Sequence, residues 1–439
     1  MTDSENLARE PIPIPKGLYD ILPVEQEGAL SWRNVHYWQY VEEMIRKTVA
    51  HYGYREIRTP MFERTELFAR GVGEASDIVT KEMYTFIDKG GRSMTLRPEG
   101  TAPVMRSFVE KRLDTLAPVH KLFYMGPMFR YERPQAGRYR QFHHFGAEAI
   151  GVRSAEQDVE LIDMIYTLYS RLGIKGLSLY LNTVGDVESR KNYRNALQSY
   201  LRPHLSDLSA DSKKRFEENP LRILDSKDRN DRAIVAEAPS IHDYLTERCM
   251  EHFSSVRSYL ERLKIPFHIE PKLVRGLDYY TDTVFEFVAG ELGAQDTVGA
   301  GGRFDSLIRD LGGPNLPGVG FATGIERVIQ TMVAQGIPFP ARPVVDFFLI
   351  PLGERARGVC FEILCSLRRE GIPSDMDLTG KKLKVVMKHA DRAGVKHVVV
   401  VGDNEIEAGK VEVQEMATGK KRAVDLADII QSILKGKND

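Results

Sequence analysis

Cysteine is scarce in this chain: 439 residues contain three, Cys249, Cys360 and Cys365, and none belongs to a CxxC pair. An odd number at these spacings does not make a disulfide framework and fits reduced thiols that serve as packing residues. An excess of either charge is also missing. Lys and Arg total 61 against 62 Asp and Glu, a net of −1, so any contact with nucleic acid must be local rather than spread over a basic surface. Long apolar runs are lacking too, since none approaches the roughly 18 residues that a membrane span needs. The amino-terminal MTDSENLAREPIPIPKG has neither the apolar stretch of a signal peptide nor an amphipathic basic pattern. A soluble, cytoplasmic protein with no membrane partner is the expectation. There is no internal repeat or low-complexity tract, and the length calls for two or three domains, each able to bury a sizeable core.

What is present is patterned. Residues 30–51 predict a helix, followed after Gly53 by a short strand-like stretch, YREIRTPMF. Residues 120–131 and 140–151 read as two strands joined by the loop RPQAGRY, a long-looped antiparallel hairpin. Ser154 and Gln157 have the spacing of a capping box, and apolar residues at helical spacing carry that helix to Gly173, where it is expected to pack on the sheet. From Asp186 to Leu263 the texture is charged and helix-prone, as expected of an inserted helical module. Strand patterns return at LVRGLDYYTDTVFEFVAG, TVGAGGRFD and PGVGFATG, before a helix, IERVIQTMVAQ, and a proline-rich linker, GIPFPARP. Beyond it, strands alternate with helices, which predicts a small α/β domain with a largely parallel sheet.

Chemistry concentrates in FRYERPQAGRYRQFHHFGAEAIG, residues 129–151. Arg130, Arg133, Arg138 and Arg140 surround one acid, Glu132, with no Lys. Arginine alone favours planar, bidentate recognition of phosphate or purine. On the second strand, alternation puts Phe142, His144, Gly146 and Glu148 on one face, with Gly146 leaving room for a ligand. By itself this pattern fits a polar sheet face with surface arginines as well as it fits a site. RGLDYYT, residues 275–281, gathers an Arg, an Asp and two Tyr in one strand, suited to a polar, anionic substrate or, equally, to an aromatic core strand with a capping charge. GVGFATG has the spacing GxGxxxG and follows antiparallel patterns, which argues against a dinucleotide fold. Its small residues let a nucleotide lie on the strand, with Arg327 of the next helix reaching the phosphates. His143 and His144 are adjacent on a strand and point to opposite faces, so they cannot both ligate one metal ion.

Together these stretches resemble the histidyl-tRNA synthetases, a class II aminoacyl-tRNA synthetase family, along nearly the whole chain from KGLYDILP at Lys16. GYREIRTP resembles class II motif 1, FRYERPQAGRYRQFHHFGAEAIG motif 2 and PGVGFATGIERV motif 3. RGLDYYT is similar to the histidine-specific signature, and NPLRILDSKD to the insertion of bacterial-type members. The resemblance implies an α+β fold: a class II antiparallel-sheet catalytic domain over 1–330 with a helical insertion at about 187–262, a linker at 331–343, and an α/β anticodon-binding domain over 344–439. It implies a histidine-tRNA ligase that forms histidyl-adenylate from L-histidine and ATP, with Mg²⁺ accompanying ATP, and passes histidine to the 3′ end of the histidine tRNA. A homodimer is implied as well.

Carried residue by residue, the resemblance puts Arg130 and Arg327 on the ATP phosphates and Glu132 and Phe142 on the adenine. Glu99 and Thr101 receive the α-amino group of histidine, Glu148 and Tyr280 its imidazole nitrogens, with Tyr279 beside them. Arg275 matches the catalytic arginine that stands at the α-phosphate where other class II enzymes place a metal, so no dedicated protein-held metal is expected. Arg133 and Gln135 are expected at the tRNA acceptor end, which the insertion helps to clamp. One position departs from the pattern: His144 stands where the family usually has Gln, near the substrate amino and carboxylate groups. Three other readings are a non-catalytic regulatory paralogue that partners ATP phosphoribosyltransferase, a histidine- or tRNA-sensing module without ligase activity, and a class II synthetase for another amino acid. The first usually lacks the C-terminal domain and erodes RGLDYYT and the motif arginines, all of which this chain keeps; the second would release no pyrophosphate; RGLDYYT with Glu148 argues against the third.

Overall fold

The computed structural model describes residues 11–73, 76–135, 137–290, 297–342 and 344–435. The chain folds as two compact units, 1–340 and 341–439.

The first unit is built on an eight-stranded sheet. Its strands are β1 (Arg55–Glu56), β5 (His120–Phe129), β6 (Gln141–Ile150), β7 (Leu177–Thr183), β8 (His268–Ile269), β9 (Thr281–Ala289), β10 (Thr297–Arg303) and β11 (Gly318–Gly324). β2 (Phe62–Arg64), β3 (Tyr84–Ile87) and β4 (Ser93–Leu96) form a separate small sheet. The large sheet runs β1-β5-β6-β11-β10-β9-β7-β8; its six central strands pair antiparallel, and the short edge strands β1 and β8 pair parallel. The predicted hairpin is the β5–β6 pair, in register from His120–Ile150 to Phe129–Gln141.

Alternation gives the sheet two different faces. Phe145, Ala147 and Ala149 of β6, Val319 and Phe321 of β11, and Phe285 and Phe287 of β9 join one core with α1 (Val35–His51), α4 (Ala155–Arg171), α8 (Glu247–Arg262) and α10 (Ile325–Ala334). Within that layer the Asp158 carboxylate accepts hydrogen bonds from Arg303 Nε at 2.8 Å and Thr283 Oγ1 at 2.6 Å, and lies 2.7 Å from His252 Nε2. Both members of the Asp158–Arg303 pair are at most 1 % exposed, so each is satisfied only by the other and by nearby polar groups. The opposite face of the sheet carries the candidate site. There α3 (Thr101–Glu110) and the short α9 (Leu307–Asp310) pack Val104, Phe108 and Leu307 around Tyr124, Tyr279 and Phe304.

Between β7 and α8 the chain forms α5 (Val187–Leu201), α6 (Ala210–Glu218) and α7 (Arg229–Ala236), which enclose a small core of their own around Tyr193, Leu197, Phe216, Ile223 and Val235. α8, by contrast, gives Phe253, Val256 and Leu260 to the main core.

Several sequence expectations are corrected locally. The helix expected from residue 30 is a 3₁₀ segment, Gly28–Arg33, followed by α1. Asn34 breaks it because its side chain accepts from Gln26 N at 2.7 Å and donates to Gln26 O at 3.2 Å. Ser154 is the N-cap of α4, but no capping bond forms, since the Gln157 amide turns to Glu160 at 2.9 Å. RGLDYYT is a loop leading into β9 rather than a strand; Asp278 N bonds Val72 O at 3.2 Å, outside the sheet. Thr331 and Met332, in the expected linker, are buried residues of α10.

In the second unit, β12 (Phe347–Pro351) pairs parallel with β13 (Ser374–Met376) and β14 (His397–Val401). Phe347 and Leu349 face α11 (Glu354–Arg369) and α14 (Ile429–Lys435), whereas Phe348 and Ile350 face α12 (Leu383–Arg392). The expected largely parallel sheet is only half so: after α13 (Asp403–Ala408), an antiparallel hairpin of β15 (Lys410–Glu415) and β16 (Lys421–Asp425) completes it. Gly419, at φ 69°, supplies the left-handed turn residue. No helix among the described residues is long and apolar enough to cross a membrane.

Candidate active site

Antiparallel register fixes which side chains meet on the open face. Glu148 of β6 lies opposite Gly320 of β11, which lies opposite Gly302 of β10. One row along, Gly146 lies opposite Ala322, then Ala300, then Glu286 of β9. Small residues floor the middle of the sheet, and polar side chains rise at either end. The cleft above them encloses about 210 Å³.

At one end sits a buried carboxylate pocket. Thr101 Oγ1 donates to Glu148 Oε1 at 2.7 Å, and Glu99 accepts from the backbone N–H of Thr101 at 2.6 Å and of Ala102 at 2.9 Å. Glu99 therefore caps the N-terminus of α3, where a negative charge is favoured. The other Glu148 oxygen, Oε2, is buried without a hydrogen-bond partner. Burial, reinforced by the nearby Glu99 and opposed by the Thr101 hydrogen bond, pushes the Glu148 carboxyl well above the usual range. Burial raises Glu99 too, against its two backbone hydrogen bonds. Tyr124, Tyr279 and Tyr280 complete this wall, and burial raises all three phenols. Gly320 must be glycine here, since a Cβ would lie 1.8 Å from Glu148 Oε2.

The other end is cationic. Arg130 donates from Nε to Pro98 O at 2.9 Å and lies over the Phe142 ring at 5.4 Å, a cation–π geometry. Arg327 donates to Gly137 O at 3.1 Å and to Thr297 O at 2.8 Å. Burial and the neighbouring Arg138 and Arg130 lower its guanidinium, with Glu132 opposing. Arg138 pairs with Glu132 at 3.2 Å. Arg275 donates to Glu286 Oε2 at 2.8 Å, and Thr297 Oγ1 bonds the other Glu286 oxygen. Anion recognition follows from this excess of guanidinium groups over carboxylates in a partly desolvated cleft. His144 lies between the two ends. Burial, together with Arg130, Arg327, His143 and Arg97, holds its imidazole well below the usual range, and its Nδ1 has no partner. These surroundings favour the neutral imidazole.

Packing behind the site explains why the hairpin loop holds its place. Arg140 N bonds Gly17 O at 2.9 Å, and the Tyr19 ring packs edge-on against Trp32 and Tyr139 while its hydroxyl bonds Glu326. Glu326 also accepts from His143 N at 2.8 Å, and the His143 ring, with Nδ1 3.0 Å from Glu326, packs edge-on against the core residue Trp38, whereas His144 lines the cleft, so the two side chains face opposite ways. Among the described residues no group of three or more His, Cys, Asp or Glu could hold a metal ion.

The structure gathers Arg130, Glu132, Phe142, His144, Arg275 and Arg327 with Glu99, Thr101, Tyr279 and Tyr280 around one cleft, and Glu148 joins them through Thr101. Arg133 and Gln135 are instead exposed on the β5–β6 loop, outside the lining. Gly146 does not leave room for a ligand: the Tyr124 ring fills that space, where a Cβ would come within 2.3 Å of it. Sequence reading missed Tyr124, Glu286 and Thr297. Glu286 had a signal, a lone acid inside the apolar strand VFEFVA; Tyr124 had none beyond its place on β5.

Residues 32–328 match the family model for histidyl-tRNA synthetase, and residues 346–436 match that for an anticodon binding domain. The chain is 57 % identical to a histidine–tRNA ligase of Protochlamydia amoebophila over 96 % of its own length and 99 % of that protein's. It is 45 % identical to the histidine–tRNA ligase of Halothermothrix orenii, over 96 % and 98 %. Among solved structures, the apo histidyl-tRNA synthetase of S. aureus superposes with a TM-score of 0.81 at 38 % identity, covering 96 % of this chain and 99 % of that one.

Proposed function

The chain belongs to the histidyl-tRNA synthetase family, and on that premise we propose that it activates L-histidine with ATP and transfers it to the 3′ end of the histidine tRNA. The observation that carries the reading is the buried Glu148 carboxyl, with one unpartnered oxygen, joined through Thr101 to the wall of the cleft that Tyr124, Tyr279, Tyr280 and the α3-capping Glu99 line. An imidazole N–H of the substrate satisfies Glu148 Oε2, and Tyr280 serves the second ring nitrogen. Glu99 and Thr101 receive the α-amino group. An amino acid lacking these nitrogens leaves buried polar groups unpaired, which discriminates by roughly 10⁴ or more.

ATP lies over the cationic half, its adenine held by Phe142 and Glu132 and its phosphates by Arg130 and Arg327. A carboxylate oxygen of histidine attacks the α-phosphorus; the bond to the bridging oxygen breaks, and pyrophosphate leaves with that electron pair. Charge builds on the α-phosphate oxygens, and Arg275, fixed by Glu286 at 2.8 Å, meets it where it develops without reorganising. No protein nucleophile is needed. The terminal hydroxyl of the tRNA then attacks the activated carbonyl, and AMP leaves. Mg²⁺ would arrive with ATP rather than on dedicated protein ligands, since both Glu286 oxygens are taken by Arg275 and Thr297, and it would supply charge neutralisation at the phosphates. His144, where the family usually has Gln, keeps both a donor and an acceptor as a neutral imidazole, one N–H fewer than an amide.

Exposed Arg133 and Gln135 meet the tRNA acceptor end, and the second unit meets the anticodon. The exposed apolar side chains of Met61 and Phe62, which follow GYREIRTP, and of Phe86, which packs on Phe62, support a homodimer. The enzyme works in the cytoplasm, where its tRNA substrate is. Charging of a histidine tRNA transcript with labelled histidine tests the reading: ATP-dependent acid-precipitable label is expected, and its absence with folded protein contradicts it.

A further inference from the structure

The loop that carries Arg275, Tyr279 and Tyr280 is held less by the sheet than by the helical module between β7 and α8. Asn219, at the end of α6, donates from Nδ2 to Asp278 Oδ1 at 2.8 Å. Arg190 of α5 donates from Nη1 to the Tyr280 carbonyl at 2.9 Å. Leu273, Val274 and Tyr280 pack against the module's own core around Tyr193 and Phe216. From the same stretch of the module, Arg222 reaches Asp77 at 2.7 Å and Arg215 reaches it at 3.1 Å. Asp77 belongs to the segment after α2 (Thr65–Val72), and Asp278 N closes the circuit by bonding Val72 O at 3.2 Å.

Asp278 is the centre of this arrangement. Its carboxylate fits against Gly73, whose φ of 103° only glycine adopts readily and whose Cβ would lie 2.3 Å from Asp278 Oδ2. Its backbone thus sits between the segment after α2 and the module. Two residues further on the loop, Tyr280 enters the cleft; three residues back lies Arg275. NPLRILDSKD, a motif without chemistry of its own in the site, begins with this Asn219 and includes Arg222.

We propose that Asn219 and Arg190 are positioning residues for amino-acid activation, acting through Asp278 and the Tyr280 carbonyl to hold Arg275 and Tyr280 against the substrates. The inference rests on the proposed histidine and ATP sites. The nucleotide half has its own supports outside the module: Arg130 is anchored on the Pro98 carbonyl, and Arg327 on the carbonyls of Gly137 and Thr297. Loosening the latch therefore shifts the histidine half of the site and the backbone that carries Arg275, whose guanidinium is otherwise held, among the described residues, only through Glu286 at 2.8 Å, but leaves the nucleotide half in place. Displacements of around 1 Å in a reacting constellation cost up to about 100-fold in rate.

Histidine-dependent ATP–pyrophosphate exchange with the full-length protein separates the outcomes. Asn219→Ala is expected to lower kcat/KM for histidine by about tenfold with KM for ATP changed by less than about twofold. Asn219→Asp, which sets a second carboxylate against Asp278, is expected to be worse than alanine at pH 8 and to recover partly toward pH 6. Arg190→Lys, which keeps the charge and loses the reach, serves as the second variant and gives the same histidine-selective defect. Unchanged histidine kinetics in both Asn219→Ala and Arg190→Lys overturn the proposal. So does a proportional loss in both substrates accompanied by a lowered Tm, which is the mark of a purely structural role. Wild-type protein with no histidine-dependent exchange overturns the functional reading itself, a result that no Asn219 or Arg190 variant can produce.

Discussion

Replacing Gly320 by alanine adds one methyl group at the point where the β11 floor meets Glu148. That Cβ would stand 1.8 Å from Glu148 Oε2 and 2.8 Å from the Ala147 carbonyl oxygen. The carbonyl belongs to the β6 backbone and cannot retreat far, whereas the carboxyl is a side chain and must swing by more than about 1 Å to regain contact distance. Its Oε1 is tethered to Thr101 at 2.7 Å, so the motion carries Oε2 away from the place proposed for the imidazole N–H. Leaving a buried polar group without its partner costs about 1–3 kcal/mol, and about 1.4 kcal/mol is tenfold. Gly320→Ala is therefore expected to reduce kcat/KM for histidine by roughly 5- to 150-fold. Pyrophosphate exchange with histidine varied at saturating ATP, and then ATP varied at saturating histidine, measures the split, with Tm reporting that the fold survives. A folded variant whose histidine kinetics stay within twofold of wild type refutes the placement of the substrate ring against Glu148; so does an equal loss for ATP.

Other perturbations probe other parts of the molecule. Arg275→Ala removes the cation proposed to meet the α-phosphate and is expected to abolish histidine-dependent exchange while leaving tRNA binding, measured by filter retention, within about threefold; near-normal exchange would remove Arg275 from the mechanism. Arg303→Ala leaves the Asp158 carboxylate buried with its strongest partner gone and is expected to cost about 3–5 kcal/mol in urea unfolding; a cost below about 1 kcal/mol would show that Thr283 and His252 suffice. Glu148 makes stability depend on pH with a definite sign. Its folded pKa is raised, so its protonated form is favoured in the native state, and the stability it contributes is fully present below the unfolded value of about 4.3 and is lost as pH rises toward the folded value. Without histidine, Glu148→Gln should therefore gain in Tm over wild type, and by more at pH 8 than at pH 5. A gap that is the same at both pH values contradicts the shift.

Much of this architecture was legible because local pattern and tertiary role agree. Alternation in QFHHFGAEAI assigns His144 and Glu148 to the cleft and Phe145 and Ala147 to the core, and the β5–β6 register realises it. Arginines clustered on the hairpin loop were visible as composition, and Arg130, Arg138 and Arg140 reach the cationic half or its scaffold. Legibility failed where a partner distant in sequence decides the outcome. RGLDYYT reads as a strand from its Tyr-Tyr-Thr run, yet Asn219, Arg190 and Val72 hold it as a loop. Gly146 reads as space for a ligand, yet Tyr124 from β5 occupies it, wedged against Gly100 as well. Ser154 and Gln157 have capping spacing, but Glu160 competes for the Gln157 amide. Family resemblance supplied the roles of Glu99 and Thr101, for which no local pattern spoke; the structure places both on the carboxylate pocket.

The most direct test is ATP–pyrophosphate exchange with each of the twenty amino acids in turn, without tRNA. Exchange with histidine alone is expected if, as proposed, the pocket around Glu148 and Tyr280 sets specificity and the arginines of the cationic half act on ATP. Exchange with a different amino acid would contradict the pocket assignment, and exchange with none would contradict catalysis and favour a regulatory protein that keeps the synthetase fold.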